Sequence, residues 1–331
     1  MVDLEMLQER ARIIRRIRSF FDERNYLEID TPLLSPDLIP ESCLEVFETS
    51  RILPSGSAIP YWLIPSPEIW MKKIIARHRV NLYQICKCFR NGESIGFLHN
   101  PEFTMLEYYT INVNYQDSLR LTEDLFAFLS AGRVPTDNDA QEHQTLSGID
   151  LPFERITVAE AFARYAGFDL FAAAETKGGL ETEARRLGLE PPAGMGTHAL
   201  FDLIFIHAVE PRLAQNRPIA LLDYPAFVPC LARHAQNGST AERWELYYNG
   251  IELANCYSEE TGAERVRNFF EHEAEAKEQT ALVRHRTDHN YWKLFRGSFP
   301  PCSGVAMGID RLIMALCGRS NIDSVLPFAM D

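Results

Sequence analysis

The stretch that decides the fold runs from residue 244 to residue 256 and reads Trp-Glu-Leu-Tyr-Tyr-Asn-Gly-Ile-Glu-Leu-Ala-Asn-Cys. Two runs of strand-forming residues flank Asn249-Gly250, a dipeptide typical of the two-residue turn of a β-hairpin. The turn places Tyr247 opposite Glu252. Because side chains alternate along a strand, Glu245 shares the face of Tyr247. The pattern therefore predicts two carboxylates, Glu245 and Glu252, as diagonal neighbours on one face of a hairpin.

Such a pair of carboxylates repels unless a cation lies between them or one of them is protonated. The alternative is a face open to water, which is common in antiparallel sheets. The apolar residues Trp244, Leu246 and Leu253 fall on the opposite face and agree with both alternatives. The hairpin alone leaves this choice open.

A second polar pattern lies on a strand predicted over residues 103–113. Glu107 shares one face of this strand with Phe103, Met105 and Tyr109. A carboxylate among such neighbours is buried and needs a partner. The partner is either a ligand ammonium group or a structural Lys or Arg, and the strand by itself favours the structural ion pair.

Two further features lie beside predicted strands. Arg90 ends a strand predicted over 81–90, next to a loop that contains His99, and its guanidinium suits a phosphate. A small-residue strand over 303–309 leads into a helix whose first turn contains Arg311. Its glycines permit either a ligand or another segment to approach closely, with close packing as the simpler alternative.

The rest of the chain predicts helices around this antiparallel core, which is an α+β fold. The predicted helices cover residues 4–24, 115–131, 157–166, 178–187, 198–210, 261–280 and 287–296, and another begins at Pro65-Ser66-Pro67-Glu68 with Ser66 as its N-cap. A short strand is predicted over 26–32, and polar connections over 133–155 and 188–197.

Composition narrows the class of protein. The chain has 331 residues and a formal net charge of −13, which disfavours a general nucleic-acid binder because phosphate backbones are anionic. No apolar run is long enough for a membrane span, and the charged first 25 residues exclude a signal peptide. The odd number of cysteines, seven, suits a reducing cytoplasm. We expect a cytoplasmic protein.

Taken in order, these segments resemble the three motifs of class II aminoacyl-tRNA synthetases. The first helix with Leu27-Glu28-Ile29-Asp30-Thr31-Pro32 resembles motif 1, which in that class builds a dimer interface. Phe89-Arg90-Asn91 through Glu107 resembles motif 2, and Gly304 through Arg311 resembles motif 3. The resemblance covers essentially the whole chain and implies one catalytic domain over residues 1–331, a homodimer, and the use of ATP and Mg²⁺.

Within the class, the chain is most similar to lysyl-tRNA synthetase, on the segments Ser66-Pro67-Glu68, 99–104 and 250–259. The likeness implies that Arg90 and Arg311 are catalytic and hold phosphates of ATP. It implies that His99 and Phe103 also bind ATP. It implies that Glu245 and Glu252 are Mg²⁺ ligands and that Glu245 also binds ATP. The implied amino-acid contacts are Glu68, Glu107, Tyr109, Asn255, Glu259 and Ala306. For Asn255 and Glu259 to line the site with Glu252, the strand must break between 252 and 255.

Only about 25 residues precede motif 1, so we expect neither the OB-fold that reads the anticodon nor an anticodon contact. Freestanding chains of this kind resemble the elongation factor P–(R)-β-lysine ligase family. That family also resembles this chain in having an alanine at the position of Ala306. The resemblance implies activation of lysine, in particular (R)-β-lysine, and its transfer to a lysine of elongation factor P. The alternatives are a synthetase-like enzyme that uses α-lysine with a tRNA or another amine, and a non-catalytic regulatory protein that binds amino acids.

The motif 2 loop departs from the family pattern. Gly92 follows Asn91 where a glutamate is usual, so that Glu93 is displaced, and Phe97 and Leu98 stand where an arginine is usual. The resemblance therefore leaves open whether this loop contacts adenine and the γ-phosphate. Glu93 is the substitute for the usual glutamate.

Overall fold

The computed structural model describes residues 2–93, 95–131, 149–213, 217–297 and 299–330. The strands in these ranges are β1 (Leu27–Glu28), β2 (Leu34–Ser35), β3 (Glu48–Ile52), β4 (Ala58–Leu63), β5 (Leu82–Phe89), β6 (Glu102–Ile111), β7 (Glu154–Thr157), β8 (Ile219–Pro225), β9 (Thr240–Tyr248), β10 (Ile251–Ser258) and β11 (Cys302–Gly308). The α-helices are α1 (Leu4–Asp22), α2 (Glu68–His78), α3 (Tyr115–Ala131), α4 (Val158–Ala161), α5 (Leu170–Glu175), α6 (Gly179–Arg186), α7 (Thr197–Ile204), α8 (Ala263–Thr280) and α9 (Ile309–Leu316).

A large sheet forms the centre of the molecule, with the strand order β1-β5-β6-β11-β10-β9-β8-β7. Its interior pairs are antiparallel, and only the outermost pairs, β1 with β5 and β7 with β8, are parallel. A smaller sheet has the order β2-β4-β3. Helices pack around the large sheet, so the predicted α+β fold is confirmed.

The main hydrophobic core lies on one face of the large sheet. It joins the apolar side of the hairpin, including Trp244, Leu246 and Leu253, to side chains of α1, α3 and α9. The residues that alternate with these on β9, such as Glu245 and Tyr247, therefore point to the opposite face. This arrangement leaves the polar face of β9 and β10 free to form a site.

Several predicted elements differ in extent from those observed. The strand predicted over 26–32 pairs only at β1, and the helix predicted over 287–296 is a 3₁₀ turn at Tyr291–Phe295. The helices predicted over 157–166 and 198–210 end in π-helical turns, Phe162–Ala166 and Phe205–Val209. Helix α2 begins at Glu68, so the N-cap position is Pro67 rather than Ser66. Most of the predicted connection 133–155 lies outside the described residues.

No helix within the described ranges is both long enough and apolar enough to cross a membrane.

Candidate active site

A cavity with a volume of about 640 Å³ opens on the polar face of β9, β10 and β11. Most of the residues that the sequence assigns to a site line this cavity: Glu68, Arg90, His99, Phe103, Glu245, Glu252, Asn255, Ala306 and Arg311. The remaining three, Glu107, Tyr109 and Glu259, are buried beside it and do not line it. The fold thus brings together residues that lie as far apart in the sequence as Glu68 and Arg311, which are separated by 243 positions.

The predicted break in the second strand of the hairpin is present as a β-bulge. Glu252 pairs with Tyr247, as the two-residue turn requires, whereas Asn255 pairs with Glu245. The register shifts between Glu252 and Ala254, so one extra residue is inserted in β10. An extra residue reverses the side on which the following side chains point. Asn255 therefore joins both carboxylates on the cavity face.

Glu245 is fixed by a set of donors that the sequence reasoning missed. Its carboxylate is buried and accepts hydrogen bonds from the hydroxyls of Tyr247, at 2.8 Å, and of Tyr224. Arg243 forms an ion pair with the same carboxylate. A charged group held in this way belongs to a built site, so the alternative of a face open to bulk water is wrong for Glu245.

Glu252 has looser contacts than Glu245. Within the described residues its carboxylate accepts no hydrogen bond, and the Arg311 guanidinium lies 3.9 Å away. Desolvation inside the cavity and the negative charge of Glu245 raise the pKa of Glu252 to about 7, although 40% of its side chain is exposed. A carboxylate that is disfavoured by a like charge and has free oxygens is a suitable ligand for a cation.

The chemistry of this carboxylate pair fits Mg²⁺. Magnesium takes oxygen ligands, commonly one or two carboxylates together with water and the phosphates of a substrate. No group of three or more His, Cys, Asp or Glu side chains in the described part of the chain could hold a metal by itself. Glu245 and Glu252 therefore fit an ion that takes its other ligands from water or a nucleotide.

Cationic and aromatic groups of motif 2 face these carboxylates across the cavity. The guanidinium of Arg90 lies 5.2 Å from the centre of the Phe103 ring and 3.8 Å from the carboxylate of Glu93. Burial and the positive charge of Arg311 lower the pKa of His99. His99 is therefore neutral at pH 7, and it can exchange hydrogen bonds with a ligand without adding charge.

Arg311 is fixed by backbone groups on two sides of the cavity. Its guanidinium donates to the carbonyl of Leu98, at 3.2 Å, and to that of Glu252, at 3.0 Å. Carbonyls do not neutralise a guanidinium, and the carboxylate of Glu252 is 3.9 Å away, so Arg311 can still pair with an anionic ligand in the cavity.

The preceding residue, Asp310, anchors this end of motif 3. Its carboxylate forms an ion pair with Arg10 at 2.7 Å and accepts a hydrogen bond from the backbone nitrogen of Thr104, also at 2.7 Å. Both charged side chains are buried. Helix α1, strand β6 and helix α9 are therefore linked next to Arg311.

The unusual motif 2 loop has a backbone explanation. Gly92 adopts a φ of +71°, and a Cβ atom there would approach the side chain of Glu45 to 3.2 Å. A glutamate at this position would be strained, which accounts for the departure from the family pattern. Glu93 lines the cavity beside Arg90, while Phe97 is exposed. The predicted role of Glu93 as a substitute stays a prediction.

Glu107 lies at the amino-acid end of the site and is held by hydroxyl groups. Its carboxylate accepts hydrogen bonds from Ser66, at 2.6 Å, and from Tyr109, at 2.7 Å. Burial and the nearby charge of Glu68 raise the pKa of Glu107 to about 8. No ion pair to Glu107 is present among the described residues, so the structural ion pair favoured from the strand alone is wrong for this residue.

A structural ammonium group is nevertheless present close by. The side chain of Lys72 is buried and forms ion pairs with Glu259, at 2.7 Å, and with Glu68. Sequence reasoning missed Lys72 because a Glu and a Lys four residues apart on a helix are typical of an exposed pair. The only available signal was the apolar character of the neighbouring residues in α2.

The small-residue strand β11 serves both of the purposes that its sequence left open. A Cβ atom on Gly304 would lie 2.4 Å from the Tyr109 ring and 2.6 Å from a carboxylate oxygen of Glu259, so close packing explains this glycine. Ala306 and Gly308 line the cavity instead. Ala306 pairs with residues of β6 and β10 that belong to the same site, Glu107 and Asn255.

Comparison with known proteins agrees with this site. The family model of the class II tRNA synthetases (D, K and N) matches residues 3–331, which fixes the class of the fold. Curated relatives from three species are all named elongation factor P–(R)-β-lysine ligase. The protein of Avibacterium paragallinarum is 34% identical, that of Histophilus somni strain 2336 is 35% identical, and that of Mannheimia succiniciproducens is 32% identical. Each match covers 99% of this chain and 96% of the relative.

The chain therefore belongs to the class II tRNA synthetases and, within them, to the elongation factor P–(R)-β-lysine ligase family. The relatives are named as ligases, which agrees with an enzyme rather than a regulatory protein.

Proposed function

We propose that the protein activates a lysine-type diamino acid with ATP and transfers it to a lysine side chain of elongation factor P. One observation carries this proposal. A single cavity joins a phosphate-binding end, formed by Arg90, Arg311 and Glu252, to an amino-acid end lined by Glu68, with the buried carboxylates of Glu107 and Glu259 beside it. The names of the relatives support the identity of the acceptor and of the amino acid, (R)-β-lysine.

In the first half-reaction, a carboxylate oxygen of the amino acid attacks the α-phosphate of ATP, and pyrophosphate leaves. Arg90 binds the attacking carboxylate and the α-phosphate, because a guanidinium can hold two oxygens at once. Arg311 stabilises the charge that develops on the phosphates. His99 and Phe103 position the nucleotide. No covalent bond to the enzyme forms, so orientation and electrostatics supply the acceleration.

Glu245 and Glu252 would hold Mg²⁺ in this step. A bound divalent ion neutralises the phosphate charge and orients the leaving group. Glu245 is prepared for this role because two tyrosine hydroxyls and Arg243 fix its orientation.

In the second half-reaction, the ε-amine of the acceptor lysine attacks the carbonyl of the adenylate, forming an amide bond and releasing AMP. Ala306 is suited to select between lysine isomers, because it lines the cavity between Glu107 and Asn255. A single methyl group changes such a preference by about 1–3 kcal/mol.

A homodimer is part of the proposal. Apolar side chains are exposed along motif 1 and the small sheet, namely Leu27, Leu33, Leu34, Ile52 and Ile59. A contiguous partner surface would cover such side chains. We place the protein in the cytoplasm because its odd number of cysteines, seven, suits a reducing compartment.

An assay of ATP–pyrophosphate exchange tests the activation step. We expect exchange with (R)-β-lysine and α-lysine and none with norleucine or glutamate, because the amino-acid end of the site requires a side-chain cation. The faster lysine isomer identifies the substrate, and a preference for α-lysine would favour a synthetase-like enzyme. Exchange with norleucine at the lysine rate would contradict the proposed specificity. A folded protein without any exchange would favour the regulatory alternative.

A further inference from the structure

We propose that Lys72 is a positioning residue that acts as the resident cation of the amino-acid end, holding Glu68 and Glu259 and matching its charge to a substrate with two ammonium groups. This inference rests on the proposed function. It concerns a residue that contacts two protein carboxylates of the amino-acid end, those of Glu68 and Glu259, and leaves the reacting atoms to other groups.

The geometry shows that Lys72 is not an ordinary surface lysine. Its side chain is 1% exposed, and its ammonium group bridges two carboxylates from distant parts of the chain. Glu68 lies one turn earlier in α2 and lines the cavity, whereas Glu259 directly follows β10. Lys72 therefore determines where both carboxylates lie relative to a bound amino acid.

The charges of this end are unbalanced in a way that fits the substrate. Three carboxylates, those of Glu68, Glu107 and Glu259, share one ammonium group, that of Lys72. Burial raises the pKa of Glu107 to about 8 and that of Glu259 to about 7, so both are partly protonated near neutral pH, and an approaching substrate ammonium group favours their ionised forms. Lysine and β-lysine each have two ammonium groups, and Arg90 is available for the substrate carboxylate. Buried charges are stable only when they are paired, so the count of resident cations selects the charge of the ligand.

The groups that face Lys72 from the surrounding elements are Glu68, Glu107, Tyr109, Glu259, Tyr291 and Cys302. Burial opposes the charged form of Lys72, but Glu259 and Glu68 raise its pKa well above the ordinary value. Lys72 therefore stays protonated near neutral pH, and the neighbouring tyrosines and Cys302, whose pKa values are raised by burial, stay neutral.

Removal of Lys72 changes the titration of its partners in a defined direction. Burial raises the pKa of Glu259 to about 7, and Lys72 opposes this increase. Without Lys72 the pKa of Glu259 rises further, so this carboxylate is protonated at neutral pH and no longer attracts a substrate ammonium. Binding of the lysine isomer then requires a higher pH. In a plot of affinity against pH, the acid limb moves to higher pH.

The test compares Lys72→Met with Lys73→Met in the full chain. Lys73 is the matched control, because it is the next residue of α2, its side chain is 34% exposed, and its contact with Asp288 is long, at 3.4 Å. Isothermal titration calorimetry with (R)-β-lysine and with α-lysine, over a range of pH, gives Kd without relying on catalysis. ATP binding is measured in parallel.

For Lys72→Met we expect Kd for the better isomer to rise by about tenfold or more, because two buried carboxylates lose their fixed counter-charge. The loss should shrink as the pH rises, while the Kd for ATP stays within about twofold of the wild type. Lys73→Met should bind like the wild type. A purely structural lysine would instead affect both ligands alike and leave the pH profile in place.

Folded Lys72→Met that binds the lysine isomer like Lys73→Met, or that loses affinity without a change in pH profile, would overturn the proposal. Should Lys72→Met fail to fold, Lys72→Ala with added butylammonium replaces it, and recovery of lysine affinity with the added amine is expected. Unchanged affinity with butylammonium would then count against the role of Lys72. If the wild type binds neither isomer, the proposed function itself fails, which is a distinguishable result.

Discussion

Glu252→Gln loses at least about 100-fold in the rate of lysine-dependent ATP–pyrophosphate exchange, which is the loss typical when one group that stabilises developing charge is removed. The substitution keeps the shape of the side chain and removes its charge. The carboxylate of Glu252 accepts no hydrogen bond among the described residues and lies near Glu245, so its charge is available for a metal ion. An amide is a much weaker ligand for Mg²⁺ than a carboxylate.

The matched control is Glu242→Gln on the same hairpin. Glu242 lies on β9 but pairs with Arg233, at 2.6 Å, and does not line the cavity. Its substitution should leave the exchange rate within about twofold of the wild type. Measurement over a range of Mg²⁺ concentrations should show that Glu252→Gln requires more metal. Full exchange by Glu252→Gln at ordinary Mg²⁺ would refute its role as a ligand.

Arg10→Met lowers the free energy of unfolding by about 3–5 kcal/mol, because it leaves the carboxylate of Asp310 buried without its partner. The ion pair between Arg10 and Asp310 is 2.7 Å long, and the two side chains are 9% and 2% exposed. The measurement is urea denaturation followed by circular dichroism. Because Arg311 follows Asp310, the remaining folded enzyme should also exchange pyrophosphate more slowly.

Helix α1 provides its own control in Arg18→Met. Arg18 makes the same type of ion pair, with Glu28 at 2.8 Å, but both side chains are about two-fifths exposed. An exposed pair contributes only about 0–1 kcal/mol. The double variant Arg10→Met/Asp310→Leu should recover much of the loss, because no buried charge remains unpaired. Equal effects of Arg10→Met and Arg18→Met would show that Arg10 does not anchor motif 3.

The parts of the fold that the sequence predicted well depend on local signals. Asn249-Gly250 restricts the backbone to one type of turn, and the register of the hairpin follows from it. The break after Glu252 was predicted for a different reason, since Asn255 otherwise points away from the site. By contrast, the parallel pair β7 and β8 was not predicted. Strand β7 begins within the segment predicted as a polar connection, and β8 is a short, mostly buried strand without alternation, which resembles a helix segment.

The parts of the site that escaped prediction depend on contacts between distant segments. Tyr224 holds Glu245 only because β8 and β9 are adjacent in the sheet, whereas Arg243 contacts Glu245 along the same face of β9. Lys72 meets Glu259 across 187 positions of sequence, and its spacing from Glu68 suggested an exposed helix pair. Residue type and spacing predicted the groups proposed to bind the ligands, but they could not identify the groups that hold those residues in place.

The central claim is that the activated amino acid is transferred to elongation factor P, and intact-mass spectrometry of that acceptor tests it most directly. The acceptor is incubated with the enzyme, ATP and either (R)-β-lysine or α-lysine, with Glu252→Gln as the control enzyme. We expect a mass gain of one lysyl residue, at a lysine of the acceptor, that is faster with (R)-β-lysine and absent with Glu252→Gln. An unchanged acceptor mass with both isomers, in a preparation that exchanges pyrophosphate, would contradict the transfer to elongation factor P.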